Sequence, residues 1–304
     1  MIYTLTLNPA LDKTITVDEL IFDGVNRPTD IQYDSGGKGF NVSRALMRLG
    51  VENLALGFIG GQAGEWLEHD LANEGTHSHL IPIQQESRTN LVIRERSGRY
   101  IKVNEDGPVV EAGELDALFS VIEECAKEGD WWALCGSTPR GVSDDIYQKI
   151  TEMLHKRGAF VALDASGQLL KYGCDAQPEL VKPNQFEAWE LAGEKISIEK
   201  IPDLFHVRGI QTVALSLGEE GCIYSEGNRQ IWVLPPKITP QNLVGAGDAL
   251  LAGALFAKAH GMSLTETAKW ATAAGTAAAQ AITNCFPSFE SVETIYNQLK
   301  VMNE

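Results

Sequence analysis

Residues 242–253 read Asn-Leu-Val-Gly-Ala-Gly-Asp-Ala-Leu-Leu-Ala-Gly, and the reading of the whole chain turns on them. Gly245 and Gly247 flank Ala246 and allow a tight turn whose backbone N–H groups point one way. The apolar, alanine-rich run behind the turn predicts a long helix, so the helix dipole adds positive potential at the same spot. Such a turn is an anion hole, suited to the charge on a phosphoryl group in transfer. Asp248 is the first acidic residue of that helix. A carboxylate there reads either as a base beside the hole or as an ordinary N-terminal helix charge, and the stretch alone leaves both open.

A second stretch of this kind stands at 35–41, Ser-Gly-Gly-Lys-Gly-Phe-Asn, again leading into a helical pattern. Its glycines let a ligand approach the backbone, Lys38 offers a point charge, and Asn41 offers an amide one turn in. It is not a Walker A loop, because Lys38 is followed by glycine and the glycine spacing differs; the alternative is a plain glycine-rich turn. Lys182-Pro-Asn184-Gln-Phe-Glu187 follows the strand-like Leu180-Val181. Asn184 and Glu187 fall one turn apart, facing one metal–phosphate assembly or merely capping a helix. Ser216-Leu-Gly218-Glu-Glu-Gly221 is a glycine-marked turn after an apolar run. His77 and His79 lack further ligands in sequence and read as a surface loop.

Helical and strand patterns alternate through most of the 304 residues, with no repeat and no linker. A 3.6-residue period over 39–49 predicts a helix ending at Gly50, and Ser143 predicts the N-cap of another that ends at Gly158. Short apolar runs at 3–7, 132–135, 160–163 and 212–217 predict buried strands. From Ala246 onward almost everything reads as helix, with alanine-rich packing through Ala281. Helices alternating with buried strands predict an α/β fold: a mostly parallel central sheet with helices on both faces, in a single domain over 1–304. Two regions break the rhythm with period-two alternation, 13–17 with 27–33, and 89–93 with 100–104 around Ser97-Gly98. They predict a small accessory sheet built from about 12–34 and 88–105. Its apolar row, with Ile15, Val17, Ile101 and Val103, has no helix to cover it and predicts a homodimer through that sheet.

Composition narrows the function. With 25 basic and 41 acidic residues the formal net charge is −16, which disfavours nucleic acid as a partner. No segment approaches the roughly 20 apolar residues of a membrane span. The N-terminal MIYTLTLNPALD lacks the basic and apolar regions of a signal peptide. The five cysteines are odd in number and unpaired in spacing. Buried free thiols in a reducing, cytoplasmic compartment are the expectation. A nucleotide-dependent dehydrogenase would require G-x-G-x-x-G after an early strand, whereas the first strand runs into Asn8-Pro9-Ala10-Leu11-Asp12.

Taken together, these motifs resemble the ribokinase-like sugar kinases, in particular the branch containing bacterial 1-phosphofructokinase and tagatose-6-phosphate kinase. GGKGFN is similar to the first signature of that branch and NLVGAGDALLAG to the second. TLNPALD, VNR at 25–27, SRTN at 87–90, GSTPRG at 136–141, KPNQFE and SLGEEG recur in order along essentially the whole chain. The resemblance implies an α/β domain with a β-sheet lid and ATP-dependent phosphorylation of a ketohexose monophosphate, fructose 1-phosphate foremost. Tagatose 6-phosphate is the alternative substrate, and a non-catalytic sugar-phosphate sensor the alternative of another class. It implies Asp248 as the base and Gly245, Ala246 and Gly247 as the anion hole. Asp12, Gly36, Gly37, Asn41 and Ser137 would line the sugar cleft, and Arg27, Lys38 and Arg88 would hold the phosphate already on the sugar. Lys182, Ser216, Gly218 and Gly221 would lie along the nucleotide, with Asn184 and Glu187 serving its Mg2+ through water. The family commonly has Leu-Pro after the Gly-Ser of the middle motif. Here Thr138-Pro139-Arg140 follows, placing an added charge at the cleft mouth. Related kinases often dimerise through their lids.

Overall fold

The structure is a computed structural model and describes residues 1–281 and 286–302; Cys285 lies outside the described residues. The chain begins with β1 (Ile2–Thr6), β2 (Ala10–Val17), β3 (Asp30–Gly36), α1 (Lys38–Arg48), β4 (Asn53–Ile59), α2 (Gly61–Asn73) and β5 (Ser78–Pro82). It continues through β6 (Arg88–Glu95), β7 (Tyr100–Asn104), α3 (Ala112–Cys125), β8 (Trp131–Cys135), α4 (Ile146–Lys156), β9 (Phe160–Asp164) and α5 (Gly167–Asp175). The last part holds β10 (Leu180–Val181), α6 (Gln185–Ala192), α7 (Ile201–His206), β11 (Thr212–Ser216), β12 (Cys222–Glu226), β13 (Arg229–Leu234), α8 (Ala246–Ala259), α9 (Leu264–Gln280), α10 (Phe289–Tyr296) and β14 (Lys300–Met302).

Ten strands form one sheet in the order β14-β13-β12-β11-β10-β9-β8-β1-β4-β5. Every neighbouring pair from β11 to β5 is parallel. The strands β12, β13 and β14 extend the other edge antiparallel. The predicted mostly parallel α/β sheet is therefore present, and its apolar strands have the expected cause. In β8, Trp132 and Leu134 join the core formed with α3 and α4, while Ala133 and Cys135 join the core formed with α1, α8 and α9. A strand covered on both faces needs apolar residues at every position. Chain order reverses at β1: β4 and β5 lie on one side of it and β8 to β11 on the other. Ligands bind outside the carboxyl ends of strands at such a reversal.

Several local expectations are corrected. Ser143 does not cap α4. The helix starts at Ile146 behind Asp145, and the Ser143 hydroxyl instead donates to the Asp145 carboxylate. The strand expected at 13–17 begins at Ala10, which puts Asp12 inside it, and the strand expected at 27–33 runs instead over 30–36. The chain does not end as helix, since β14 returns to the sheet edge beside β13. Cys135, Cys174 and Cys222 are buried free thiols, and Cys125 is free and partly buried. Among the described residues no helix is long and apolar enough to cross a membrane.

A second sheet of four strands, in the order β3-β2-β6-β7, is built from the two regions of period-two alternation. Its register sorts the side chains. Asp12, Asp34, Asn90 and Asn104 form one cross-strand row; three residues along, Ile15, Ile31, Ile93 and Ile101 form a row on the opposite face. One face is thus polar and the other is isoleucine-rich, with Leu91, Val103 and Tyr33 beside it. Ile31, Tyr33, Ile101 and Val103 are exposed. Val17 is an exception to the predicted apolar row and is buried. The Leu20 amide donates to Glu95 Oε1 at 2.9 Å, so the chain folds back at that corner.

The alanine-rich segment packs α8 directly on α9. A Cβ on Gly253 would overlap the backbone carbonyl of Trp270 and come within 2.9 Å of the Ala274 side chain. Gly253→Val is expected to destabilise the protein by about 1–3 kcal/mol through overpacking. Urea denaturation followed by circular dichroism measures it, and an unchanged midpoint would show that the two helices separate without cost.

Candidate active site

The carboxyl ends of β1, β8, β9, β10 and β11 converge on two helix starts. The first is α1, entered through Gly36 and Gly37. A Cβ on Gly36 would lie 2.5 Å from Asp12 Oδ2, so only glycine allows the chain to pass the Asp12 carboxylate. Gly39 is equally restricted, because its Cβ would meet the Leu5 carbonyl of β1 at 2.7 Å. The second start is α8, whose N-cap Gly245 has φ 79° and no side-chain cap. Ala249 N donates to Gly245 O at 2.8 Å, which leaves the preceding first-turn amides outside the helical i→i−4 pattern. Ala246 N makes a long contact of 3.4 Å to Leu243 O, so Gly247 and Asp248 supply the amides best placed for an anion.

Asp248 is buried at 7% exposure in the first turn of α8. Asn41, one turn into α1, donates Nδ2 to Asp248 Oδ2 at 2.8 Å. Burial pushes the Asp248 carboxyl up, and the nearby Asp164 charge pushes it further, to about 6; Lys38, the Asn41 hydrogen bond and Lys182 pull the other way. A carboxylate with that proton affinity suits proton transfer near neutral pH.

Asp164 ends β9 with no sequence signal of its own beyond that place. It proves to be fully buried between two lysines: Lys38 Nζ lies 2.8 Å from Oδ1 and Lys182 Nζ 3.2 Å from Oδ2. Burial raises its carboxyl, but Lys182 and Lys38 outweigh that and hold it below the ordinary range. Lys38 is raised above its own ordinary value, because Asp164, with help from Asp248 and Glu187, overcomes the opposing effect of burial. Its amine therefore belongs to the Asp248 cluster.

Asp12 lies on the polar face of the small sheet, and its Oδ1 accepts from Asn90 Nδ2 at 2.7 Å. Burial raises its carboxyl, while Asn90, Lys102 and Arg88 counter that. Asn90 lies within the SRTN stretch, where nothing in the sequence marks it as the partner of Asp12. Arg88, at the start of β6, donates to the Asn8 carbonyl at 3.0 and 3.2 Å and to the Glu105 carbonyl at 3.3 Å. Arg27 does not join this group. It lies in the exposed segment between β2 and β3, at the end of the sheet away from Asp12. Ser137 is exposed just beyond β8. Arg140 donates Nε to the Gly107 carbonyl at 3.3 Å, so the added charge helps to clasp the chain leaving β7.

Asn184 and Glu187 form a capping box at α6. Asn184 Oδ1 accepts from the amides of Phe186 and Glu187, and Glu187 Oε2 accepts from the Asn184 amide at 2.8 Å. Of the two readings left open by the spacing, this is the capping one. A bridge pairs Asn184 with Ser216, and Ser216 N donates to Pro183 O at 3.0 Å, which places the KPNQFE and SLGEEG segments side by side. Gly218 and Gly221 form the turn after β11 with φ 61° and 88°. His77 and His79 are exposed, and among the described residues no group of three or more His, Cys, Asp or Glu is arranged to hold a metal ion.

Arg44 also escaped the sequence reading. It is buried under Asn41, pairs with Glu74, donates to Ser35 O at 3.2 Å and reaches Asn41 Oδ1 at 3.4 Å. That contact favours the amide orientation in which Asn41 turns its NH2 toward Asp248. Its apolar-helix setting offered no sequence signal beyond a charge on an otherwise buried face.

Residues 6–288 match the sequence model of the pfkB family carbohydrate kinases. A D-tagatose-1-phosphate kinase of Bacillus licheniformis is 34% identical over 90% of this chain and 91% of its own length. A 1-phosphofructokinase of Borreliella burgdorferi is 31% identical over 99% of this chain and 98% of its own. The crystal structure of phosphofructokinase-2 from Escherichia coli in complex with fructose-6-phosphate superposes with a TM-score of 0.90 at 29% identity, covering 98% of each chain. The match over residues 6–288 and the relatives above 30% identity along almost the whole chain make this chain a member of the pfkB family of carbohydrate kinases.

Proposed function

We propose that the protein transfers the γ-phosphoryl group of ATP to the primary hydroxyl of a ketohexose 1-phosphate, with fructose 1-phosphate as the preferred acceptor. The observation that carries this reading is the pairing of Asp248, raised to about 6, with the open first turn of α8. Several relatives bear the name 1-phosphofructokinase. A tagatose monophosphate is the second reading, with the 1-phosphate favoured over the 6-phosphate by the name of the 34% identical relative. Fructose and tagatose differ only in configuration at C4. The sensor alternative has no observation in its favour.

In this reading Asp12, oriented by Asn90, accepts hydrogen bonds from the sugar hydroxyls. Arg88 holds the acceptor's phosphate. Gly36 and Gly37 let the sugar lie against the backbone, while Ser137 lines the cleft mouth. Asp248 accepts the proton of the attacking hydroxyl, and the amides of Gly247 and Asp248 receive the oxygens of the group in transfer. Lys38 and Lys182 face those oxygens from the other side. Ser216, Gly218 and Gly221 run along the nucleotide. Mg2+ neutralises the donor phosphates when bound. The residues fit an ion that keeps its waters: the capping box engages Glu187 Oε2 and leaves the other carboxylate oxygen for a water-mediated contact. Closure of the small sheet as a lid would exclude the water that otherwise hydrolyses ATP.

Asp248→Asn is expected to lower kcat by about 10²–10⁴-fold while sugar-phosphate and ATP binding persist. Calorimetry and a coupled assay measure the two, and turnover within a few-fold of the parent would overturn the assignment. Because the base must be deprotonated, kcat/KM is expected to fall as pH drops through about 6; a profile flat to pH 5 would contradict it. Assay over a panel of ketohexose monophosphates decides the acceptor, and a higher kcat/KM for tagatose 1-phosphate would select the second reading.

The lid's isoleucine face supports a homodimer. Its polar face turns to the sugar, so the opposite face has no part of its own chain to bury it fully. A symmetric pairing of two such faces would do so. Sedimentation equilibrium is expected to give twice the single-chain mass of 33.1 kDa. The double substitution Ile31→Asp/Ile101→Asp should return it to the single-chain value. A native mass near 33.1 kDa, with and without sugar phosphate, would exclude the dimer.

A further inference from the structure

Asp164 is the most deeply buried carboxylate of the site, and the reaction as derived gives it no task. It accepts no proton from substrate, lies beneath the two lysines and has no exposed surface. Burying a charge is costly, and a buried ion pair is weak evidence for stability. A residue that holds two cations at once, with one of them against the α8 turn, calls for another reason.

The geometry supplies one. Lys38 begins α1 and Lys182 follows β10, so the two amines arrive from different elements and meet only on Asp164. Lys182 Nζ stands 3.5 Å from where a Cβ on Gly247 would be, directly against the α8 turn. The next carboxylate within reach of these amines is Asp248 itself. Without Asp164 the lysines would turn to the base, pair with it and weaken it. With Asp164 in place they are held apart from the base and remain available to incoming phosphate oxygens.

We propose that Asp164 is a positioning residue that keeps Lys38 and Lys182 on the anion hole and off the catalytic base, and that places a fixed second negative charge beside Asp248. This rests on the reading of Asp248 as the base. The charged and titratable groups facing Asp248 are Asp164 from β9, Lys38 from α1, Lys182 after β10 and the Cys135 thiol from β8. From α9 the neighbours of the α8 start are uncharged, Gly275 among them. Removing the Asp164 charge acts on Asp248 twice in one direction: a repelling anion disappears and two cations move closer. The base becomes easier to deprotonate and poorer at accepting a proton.

The test is the pH profile of kcat/KM for fructose 1-phosphate and Mg-ATP, compared between variants on the same substrates so that the titrations of their phosphates cancel. Asp164→Asn is expected to move the acid limb down by about one pH unit. Its plateau should fall by about 10²-fold, as for the loss of one positioned donor to the developing charge. Asp164→Glu keeps the charge but displaces the lysines, so its acid limb should stay near the parent's while the KM for ATP rises. Should Asp164→Asn not fold, the charge-balanced Asp164→Asn/Lys182→Met carries the same expectation, since Lys38 alone would then pair with the base. A folded Asp164→Asn or double variant with an unmoved acid limb overturns the proposal and leaves Asp164 a purely structural ion pair. Asp248→Asn separates the two readings. If it retains turnover, the base assignment fails; if it loses turnover while the Asp164 variants leave the limb unmoved, only the present inference fails.

Discussion

One hydrogen bond, from Asn41 Nδ2 to Asp248 Oδ2 at 2.8 Å, joins the starts of two helices whose contacting residues are 207 apart in the chain. Everything else at the site depends on those two starts meeting. The large parallel sheet sets both helices on the same face, and the reversal of strand order at β1 opens the space between their ends. Small residues then close the distance. The α8–α9 contact at Gly253, and the contact of Gly39 with the β1 backbone, admit no side chain at all. Arg44 and Glu74 secure the arrangement from below, so Asn41 presents its amide protons, rather than its oxygen, to the carboxylate.

The charges of the site show how a strongly acidic protein handles anionic ligands. With a net charge of −16 the molecule as a whole repels phosphates, so attraction must be local. The cations fall into two groups. Lys38 and Lys182 converge on Asp164 beside the α8 turn, and Arg88 lies with Asp12 at the base of the small sheet. That separation matches a reaction with two phosphate-bearing reactants, one at each end of the cleft.

The small sheet is two-faced for a reason visible in its register. Asp12 lies on the polar face, and period two then places Lys13 and Ile15 on the other, along with their partners on three other strands. A sheet that is polar on one face is therefore apolar on the other. The face proposed to meet the sugar and the face proposed to meet a second copy are consequences of one alternation.

Much of this was legible in the sequence. The glycine-flanked helix starts at 36–41 and 245–248, the buried strands and the alternation of the small sheet all follow from local rules: glycine where the backbone must pass closely, unbroken apolar runs where both faces are covered, period two where one face is. Those rules also gave Asp248 and Asn41 as candidates, because their positions relative to a turn carry information, while Asp12 came from the family resemblance. What the sequence left undecided was who meets whom. Lys38 read equally well as a holder of the sugar's phosphate until Asp164, 126 positions away, proved to be its partner. Arg27 was implied as a holder of the sugar's phosphate, but the strand pairing carries it to the end of the small sheet away from Asp12. Asn184 and Glu187 fitted a metal or a cap by spacing alone, and only the geometry of α6 showed the cap. Asp164, Asn90 and Arg44 sit in ordinary strand and helix patterns, and what sets them apart is the residues packed around them. Local conformation is determined by a residue's immediate neighbours and is written in sequence. Burial, charge pairing and proton affinity are set by groups brought together from distant parts of the chain, and only the tertiary structure decides those.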